Sequence, residues 1–217
     1  MSHNLQIRTC PLCRTTEATD FFRDDRDFLR CSTCRLVFVP PDQLPSAAAE
    51  KAQYDQHRNS PQDQQYRNFL NRLFEPLSQR LPAHSRGLDF GSGPGPTLSV
   101  MFEEAGHTMQ LYDPFYAPDR RVLDSEYDFI TASEVVEHLH HPRDEFDHLW
   151  CCLRPGGLLG VMTKRVIDAP AFARWHYKDD PTHVSFFSDA TFDWLASLWQ
   201  ADLTIVASDV VLIQKAG

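Results

Sequence analysis

The chain has 217 residues, enough to bury the core of one principal domain with a small appendage. Its 30 acidic and 21 basic side chains give a net charge of -9, which disfavours a nucleic acid as partner because an anionic surface repels phosphate backbones. The first eight residues lack the apolar core of a signal peptide, and no apolar run reaches the length of a membrane helix, so we expect a cytoplasmic protein without a membrane partner.

Composition divides the chain into three parts. Residues 1–40 hold four cysteines, and residues 41–85 are rich in Gln, Asp, Pro and Ala, as in a linker followed by a helix. Residues 86–217 alternate apolar strand-like runs with amphipathic stretches, the pattern of a parallel sheet covered by helices. The sequence therefore predicts a small cysteine-rich unit, a connecting helix and an α/β domain whose last two strands form a hairpin.

The four cysteines of the first part form two Cys-x-x-Cys pairs separated by seventeen residues. The pairs are Cys10 with Cys13 and Cys31 with Cys34. This spacing is typical of tetrahedral four-cysteine zinc sites, in which both thiolates of each pair face one ion. Redox chemistry is the alternative, but neither pair follows the strand of a thioredoxin-like unit. We expect a structural Zn2+ site, because four thiolates leave no coordination position open for catalysis.

The second part contains one strong helix pattern. Apolar residues recur at three- and four-residue spacing on a single face between Tyr66 and Leu81. Ser60 and Pro61 are the residue types that begin helices, and Pro76 should end or kink this helix near its last turn. We expect the helix to pack across the α/β domain or to cover its ligand cleft.

A glycine-rich turn follows the first predicted strand of the α/β domain. Asp89 precedes a Gly-x-Gly-x-Gly run that contains Gly91 and Gly93, where a strand must turn tightly into a helix. Glycines there let backbone amides approach a ligand closely. Pro96 stands where a dinucleotide-binding fingerprint has its third glycine, which weakens a nicotinamide interpretation. A tight surface turn without a ligand is the other alternative.

An acidic residue closes the second predicted strand. Asp113 follows Leu111 and Tyr112, about twenty residues after the glycine turn. A carboxylate at this place can accept hydrogen bonds from both hydroxyls of a ribose. The turn and the acid together are a stronger indication of a nucleoside ligand than either feature alone.

Four motifs occur in the order found in one enzyme family. They are the Leu-Asp-x-Gly-x-Gly-x-Gly turn, Asp113, residues 127–139 and the Leu-Arg-Pro-Gly-Gly run of residues 153–157. In these motifs the chain resembles the class I S-adenosylmethionine-dependent methyltransferases, over roughly residues 86–217. The resemblance implies a Rossmann-like doubly wound sheet and S-adenosylmethionine as cofactor. The contacts that it implies are Asp89, Gly91 and Gly93 with the methionine end, Asp113 with the ribose, and Ala132, Ser133 and Glu134 in the cleft beneath the sulfonium.

One interval is shorter than in the family. Only fourteen residues separate Asp113 from Asp128, whereas family members fit a helix, a strand and a second helix there. We therefore expect an abbreviated sheet edge. The family's adenine-binding acid normally follows the missing strand, so Asp124 is a weak substitute for it. Pro114 and the two aromatic residues after it could instead enclose the adenine by stacking and apolar contact.

Residues 30–40 are similar to a zinc ribbon that precedes the catalytic domain in several bacterial methyltransferases. Some of those enzymes modify sugars and others modify ribosomal RNA. The predicted organisation is therefore a zinc ribbon at residues 1–40, a linker and amphipathic helix at 41–85, and a methyltransferase domain at 86–217.

A loop rich in aromatic, imidazole and ammonium groups spans residues 175–187. In a doubly wound sheet, loops beyond the carboxyl ends of strands form the ligand crevice. Methyl transfer requires a base only if the nucleophile must lose a proton. His183 is the first candidate for that base, and His176 and Tyr177 are the alternates. The alternative for His183 is a helix cap or a hydrogen bond to a buried carbonyl.

The run from Glu137 to His141 contains three histidines and suggests a metal site. The family, however, frequently carries Glu-His followed by a proline-containing turn at this place, as in His141-Pro142. Glu134 and His138 are therefore better viewed as contacts to the cofactor or the acceptor.

We predict an S-adenosylmethionine-dependent methyltransferase that acts on a small-molecule acceptor. One alternative is an RNA methyltransferase that docks RNA through the ribbon, which the acidic charge disfavours. Another is a catalytically inactive protein that binds the cofactor as a scaffold, which the abbreviated sheet edge keeps open. The sequence identifies neither the acceptor nor the oligomeric state.

Overall fold

The computed structural model describes residues 8–56 and 59–217. The strands, in chain order, are β1 (Ala18–Arg23), β2 (Asp27–Cys31), β3 (Val37–Phe38), β4 (Arg86–Phe90), β5 (Thr108–Tyr112), β6 (Tyr127–Ser133), β7 (Leu153–Met162), β8 (Ser185–Phe186), β9 (Asp202–Ala207) and β10 (Val210–Gln214). The helices are α1 (Ala47–Tyr54), α2 (Gln64–Ser78), α3 (Thr97–Glu104), α4 (Pro142–Cys152), α5 (Ala169–Ala173) and α6 (Asp189–Trp199). Within these described residues, no helix is both long and apolar enough to cross a bilayer.

The main sheet has six strands in the order β5-β4-β6-β7-β10-β9. β4, β5, β6 and β7 run parallel, while β10 is antiparallel to β7 and to β9. This is a Rossmann-like α/β arrangement with a mixed sheet, and it includes the expected terminal hairpin.

The sheet ends at β5, as the short interval after Asp113 predicts. Between β5 and β6 the described residues form only a single bridge from Asp113 to Ala117 and a 3-10 turn at Arg120–Asp124. The edge of the sheet is therefore abbreviated by a strand and its helices.

Alternating side chains of the main sheet point into two apolar layers. On one face, Leu70 and Leu73 of α2 and Phe102 of α3 pack with Phe129 of β6. On the other face, Phe146 of α4 and residues of α6 pack against the same strands. Helices therefore cover both faces, which is the doubly wound arrangement that the sequence predicts.

Helix α2 begins three residues later than expected. Its N-cap is Asp63, whose carboxylate accepts hydrogen bonds from the amides of Gln65 (2.8 Å) and Tyr66 (3.2 Å). A carboxylate at this position satisfies amides that the first helical turn leaves unpaired, which Ser60 is too far away to do. The helix continues through Pro76 to Ser78, and its apolar face packs on the sheet.

The N-terminal unit is an antiparallel sheet that includes a strand from the far end of the chain. Its order is β1-β2-β3-β8. In the last pair, Val37 lies opposite Phe186 and Phe38 opposite Ser185. Leu12 and Leu36 are completely buried in the same apolar cluster as the main sheet. The cysteine-rich unit is therefore packed into the α/β domain.

Candidate functional site

A cavity of about 680 Å³ lies at the carboxyl ends of β4, β5 and β6. Its wall includes the glycine turn, the segment after β5, the segment after β6 and part of the loop that precedes β8. Predicted site residues that line it are Gly91, Gly93, Asp113, Pro114, Ser133, Glu134 and His183. Most of the residues predicted from separate motifs therefore meet at one cavity.

The glycine turn is held by backbone geometry that requires glycine. Gly91 has φ +74° and donates its amide to the carbonyl of Tyr112 at 2.8 Å. A Cβ on Gly91 would lie 2.4 Å from Cγ2 of Val135, which packs directly behind the turn. Gly93 also has positive φ, at +63°. The turn is thus fixed against both neighbouring strand ends.

We expect Gly91→Ala to lower the free energy of unfolding by about 3 kcal/mol, because it combines an unfavourable positive φ with overpacking against Val135. Gly156→Ala is the matched control, since Gly156 has φ +78° and nothing within 4 Å of its Cβ position. The control should cost only about 1 kcal/mol. Thermal unfolding compares the two, and an equal loss in both would contradict the packing role of Val135.

Ser92 is a site residue that the sequence reasoning missed. Its Oγ is buried and has no hydrogen-bond partner among the residues that the structure describes. It lies in the glycine turn and lines the cavity. Burying a hydroxyl without a hydrogen-bond partner costs free energy. Its place inside the glycine run was the signal that could have identified it.

Asp113 ties the glycine turn to the segment after β5. Its Oδ2 accepts the amide of Gly93 at 2.9 Å, and its Oδ1 accepts the amides of Phe115 (2.8 Å) and Tyr116 (3.0 Å). A carboxylate offers about four acceptor positions, so Oδ2 retains one for a ligand hydroxyl. The side chain is 7% exposed and lines the cavity.

Asp89 lies behind the turn and does not belong to the cavity wall. Its carboxylate accepts hydrogen bonds from Ser99 Oγ (2.8 Å) and Thr131 Oγ1 (2.7 Å). Burial raises the pKa of Asp89 to about 6. The structure therefore places Asp89 where it supports the turn and joins β4 to β6 and α3, without contact to the cavity.

Glu134 forms the wall that follows β6. It has φ +53°, and its amide donates to the carbonyl of Met162 at 2.7 Å. Burial, reinforced by the neighbouring Glu137 carboxylate, raises the pKa of Glu134 to about 8. Ala132 is completely buried in the core, whereas Ser133 reaches the cavity.

Aromatic side chains close the end of the cavity beyond Asp113. Phe115 and Tyr116 line it, and Tyr54 of α1 packs against Phe115 with ring centroids 5.8 Å apart. Tyr116 donates its hydroxyl to Asp55 at 2.7 Å. Asp124 is not part of this wall. Helix α1, rather than α2 alone, therefore covers the cavity, a role that its weak sequence periodicity did not indicate.

His183 lines the cavity beside His138, whose ring centroid lies 4.7 Å from that of His183 and 5.2 Å from that of Tyr54. Its Nδ1 lies 2.6 Å from the carbonyl of Tyr177 and its Nε2 lies 4.0 Å from Oδ2 of Asp180. The short contact to a carbonyl assigns the proton to Nδ1 and leaves Nε2 as the basic nitrogen. Burial lowers the pKa of His183, so the ring is neutral near pH 7. The sequence offered a hydrogen bond to a buried carbonyl as the alternative role of His183. That bond is present, and the same side chain also lines the cavity.

The two alternate base candidates do not line the cavity. His176 is exposed, with Nε2 3.3 Å from Lys164 Nζ. Tyr177 is buried and donates its hydroxyl to Glu137. Burial raises the pKa of Tyr177, so its phenol remains protonated and acts as a donor rather than a base.

Glu137, His138 and His183 form a compact group beside the cavity. Ligand-type atoms of the three side chains lie within 4.8 Å of one another. Glu137 is buried and also accepts a hydrogen bond from Thr163 Oγ1 at 2.9 Å. Hydroxyl donors therefore occupy both oxygens of Glu137, and the imidazoles are the members of the group that reach the cavity.

The four cysteines of the N-terminal unit converge, with ligand atoms all within 4.8 Å of one another. The Sγ atoms of Cys10 and Cys34 are 3.5 Å apart, and those of Cys13 and Cys31 are 3.3 Å apart. Each pair is followed by a residue of positive φ, Arg14 at +64° and Arg35 at +63°. The two Cys-x-x-Cys turns thus have the same backbone form and face each other.

Comparison with known proteins identifies the fold. A family described as a methyltransferase domain matches residues 54–208. The chain is 25% identical over 151 residues to a malonyl-[acyl-carrier protein] O-methyltransferase of Enterobacter lignolyticus (strain SCF1), and the match covers 60% of each protein. The chain thus spans less than two thirds of the length of that relative.

Two solved structures share the fold at low sequence identity. One is 1,6-didemethyltoxoflavin-N1-methyltransferase of Burkholderia thailandensis, with bound 1,6-didemethyltoxoflavin and S-adenosylhomocysteine, at 13% identity and a TM-score of 0.50. That match covers 93% of this chain and 100% of the other. The PH0226 protein of Pyrococcus horikoshii OT3 is 14% identical with a TM-score of 0.53, covering 76% of this chain and 99% of that one.

Proposed function

Because the chain belongs to the family of methyltransferase domains, we propose that it transfers a methyl group from S-adenosylmethionine to a small molecule bound beside His183. The observation that carries this proposal is the single cavity that runs from the glycine turn to His183. A cofactor at the turn and an acceptor at the histidine would share one space, as in-line transfer requires.

The cavity contains the groups that S-adenosylmethionine needs at its carboxyl and ribose ends. The methionine end would lie against Gly91 and Gly93, where the hydroxyl of Ser92 is buried without a partner among the described residues. A ribose hydroxyl would donate to Asp113, which keeps one acceptor position on Oδ2. Phe115 and Tyr116 supply flat surfaces for the adenine.

Glu134 would face the sulfonium from the wall after β6. When bound, S-adenosylmethionine supplies the methyl group and leaves as S-adenosylhomocysteine. A carboxylate of raised pKa is neutral in the free protein and ionises beside a positive charge. Glu134 would therefore distinguish the charged cofactor from its neutral product.

We expect the preference for S-adenosylmethionine over S-adenosylhomocysteine to increase about tenfold as the pH rises to about 8 and to level off above it, because the sulfonium lowers the pKa of Glu134 from about 8 and ionises the carboxylate below that pH only in its own complex. Isothermal titration with both ligands at several pH values measures this. Glu134→Gln should make the ratio of the two dissociation constants independent of pH. Glu145→Gln, which removes another carboxylate of the cavity wall, should retain the pH dependence, and its loss there would contradict the assignment.

His183 is proposed as the general base. Its Nδ1 is held by the Tyr177 carbonyl, so its Nε2 can accept the proton that an acceptor hydroxyl or amine loses as it attacks. Burial lowers the pKa of His183 and keeps the ring neutral at pH 7. Asp180 lies close enough to stabilise the imidazolium that forms.

A small-molecule acceptor is consistent with the volume of the cavity and with the net charge of the protein. One relative is named for 1,6-didemethyltoxoflavin and another for a malonyl group on acyl-carrier protein. The cavity volume lies within the usual range for small-ligand sites, roughly 300–1,000 Å³. The net charge of -9 disfavours RNA.

The proposed domain organisation is a zinc ribbon at residues 1–40, a linker and helix at 41–85, and a methyltransferase domain at 86–217. The four cysteines fit a structural Zn2+ ion. In a tetrahedral site with Zn–S bonds of about 2.3 Å, neighbouring sulfurs are about 3.8 Å apart. The observed spacings of 3.5 Å and 3.3 Å need only a small expansion.

The test is methyl transfer from S-adenosylmethionine labelled with tritium in its methyl group. The zinc-replete protein is incubated with separated small-molecule and RNA fractions of a cell extract, and label is counted in each. We expect label in small molecules, and none with a His183→Gln variant that still binds S-adenosylhomocysteine. Label confined to RNA would favour the docking alternative. Tight cofactor binding without transfer to either fraction would favour an inactive scaffold.

A further inference from the structure

The loop that carries His183 is held from outside the α/β domain. Residues 178–183 contribute Asp180 and His183 to the cavity wall. On the inner side, Thr182 and Val184 bond to the segment after β6: the carbonyl of Thr182 lies 3.1 Å from His138 Nδ1, and the amide of Val184 donates to the carbonyl of Glu137 at 2.8 Å. The outer side of the loop faces the hairpin formed by β1 and β2.

Arg26, in the turn between β1 and β2, binds four backbone carbonyls of this loop. Its Nη1 donates to Pro181 (3.1 Å) and His183 (3.0 Å). Its Nη2 donates to Asp180 (3.0 Å) and Lys178. A guanidinium group is planar and presents its donors in a rigid fork, whereas an ammonium group is a point charge that cannot span four separated acceptors.

The N-terminal unit makes two further connections to this part of the chain, one from the hairpin and one from β3. Asp24 pairs with the buried ammonium group of Lys178 at 2.6 Å, and its carboxylate also accepts the amide of Arg26 at 3.1 Å. β3 pairs with β8, and the amide of Val39 donates to the carbonyl of Val184 at 2.9 Å. The N-terminal unit therefore fixes the loop along its whole length.

We propose that Arg26 is a positioning residue, which holds the carbonyls of residues 178–183 so that the imidazole of His183 faces the acceptor end of the cavity. The proposal depends on the proposed function in one respect only: it takes the part of the cavity beside His183 as the acceptor site. It gives the cysteine-rich unit a role in the catalytic centre: the unit shapes the acceptor wall through Arg26, and none of its described residues, 8–40, lines the cavity itself.

The test compares Arg26→Ala and Arg26→Lys with the control Arg23→Ala. Arg23 lies on the same hairpin, is exposed and pairs with Asp27. The readout is the NMR titration of His183 in protein labelled at histidine Cε1, with the resonance assigned through His183→Gln. The titratable groups that face the His183 ring are Tyr177, His138, Glu137 and Asp180, and the variants change none of them.

In Arg26→Ala the pKa of His183 should rise toward the ordinary value of about 6.5, because the loosened loop admits water to a ring that burial had shifted downward. Amide hydrogen exchange in residues 178–187 should accelerate at least tenfold. Low-millimolar guanidinium chloride should reverse both changes by filling the vacated position. Arg26→Lys should shift the pKa in the same direction by a smaller amount, and Arg23→Ala should match the wild type.

A His183 titration and an exchange rate identical to wild type in the Arg26 variants would overturn the proposal. If Arg26→Ala does not fold, Arg26→Lys is the deciding variant. An unchanged titration of His183 in that variant would show that the guanidinium group is unnecessary and would overturn the proposal. S-adenosylhomocysteine affinity should stay within twofold of wild type in every folded variant. Failure of the wild type to bind S-adenosylhomocysteine would instead refute the proposed function, and it would leave the effect of Arg26 on His183 intact.

Discussion

Replacing Asp113 with alanine is expected to weaken S-adenosylhomocysteine binding about 100-fold, or roughly 2.8 kcal/mol. The free acceptor position on Oδ2 would take one ribose hydroxyl, and a hydrogen bond to a charged group contributes about 1.5–3 kcal/mol. The substitution also removes the acceptor of the Gly93, Phe115 and Tyr116 amides. The glycine turn and the aromatic wall would therefore loosen together with the loss of the ribose contact.

Isothermal titration with S-adenosylhomocysteine measures the effect. Asp113→Asn keeps the size of the side chain but leaves only one strong acceptor oxygen. We therefore expect the affinity for S-adenosylhomocysteine to fall about tenfold. The matched control is Asp119→Ala, because Asp119 lies in the same segment, is exposed and pairs only with Arg121 and its own turn among the described residues. Equal affinities in wild type and a folded Asp113→Ala protein would exclude this carboxylate from the cofactor site.

Replacing Cys10 with serine is expected to abolish zinc binding and to lower the thermal midpoint by about 10 °C or more. A four-cysteine site contributes folding free energy directly, and a loss of 1 kcal/mol shifts the midpoint by about 2–4 °C in a chain of this size. Leu12 and Leu36 lie in the same buried cluster as the main sheet. Unfolding of the ribbon would therefore expose part of the core of the α/β domain.

Metal analysis of the purified protein and a thermal scan together provide the readout. We expect one zinc ion per wild-type chain and much less than one in Cys10→Ser. Cys151→Ser is the control, since Cys151 is exposed and lies outside the cluster, and it should retain the ion and the midpoint. Full zinc content in Cys10→Ser would contradict a four-thiolate site.

The wall formed by the glycine turn and Asp113 could be predicted from sequence because its determinants are local. A strand, a glycine turn and a helix are adjacent along the chain, so the positive φ of Gly91 and Gly93 follows from residue type. Asp113 follows from the equivalent position after the next strand. Since parallel strands end at one edge of a sheet, motifs that are distant in sequence meet there.

The outer walls could not be predicted, because they depend on contacts between distant parts of the chain. Arg26 bonds to residues more than 150 positions away, and no local pattern distinguishes it from other surface arginines. Tyr54 and Glu50 reach the cavity from α1, whose apolar periodicity is weak. Ser92 differs: it stands between the glycines, so its position in the sequence was a signal, and the structure places it in the cavity wall.

The three candidates for the general base could not be distinguished from sequence either, although they lie in one loop. His176, Tyr177 and His183 lie close together in sequence, but only the last lines the cavity. A 3-10 turn at His176–Asp179 directs His176 to solvent and buries Tyr177 against Glu137. Sequence gives the chemistry of such a loop, whereas the direction of each side chain depends on the turns within it.

The most direct test of the account is a crystal structure of the zinc-replete protein with S-adenosylhomocysteine. We expect the amino acid end of the ligand at Gly91, Ser92 and Gly93, a ribose hydroxyl within hydrogen-bond distance of Asp113 Oδ2, and the sulfur facing Glu134 with open space toward His183. A ligand bound elsewhere, or an empty cavity at saturating concentration, would contradict the proposal that this chain uses S-adenosylmethionine in this cavity.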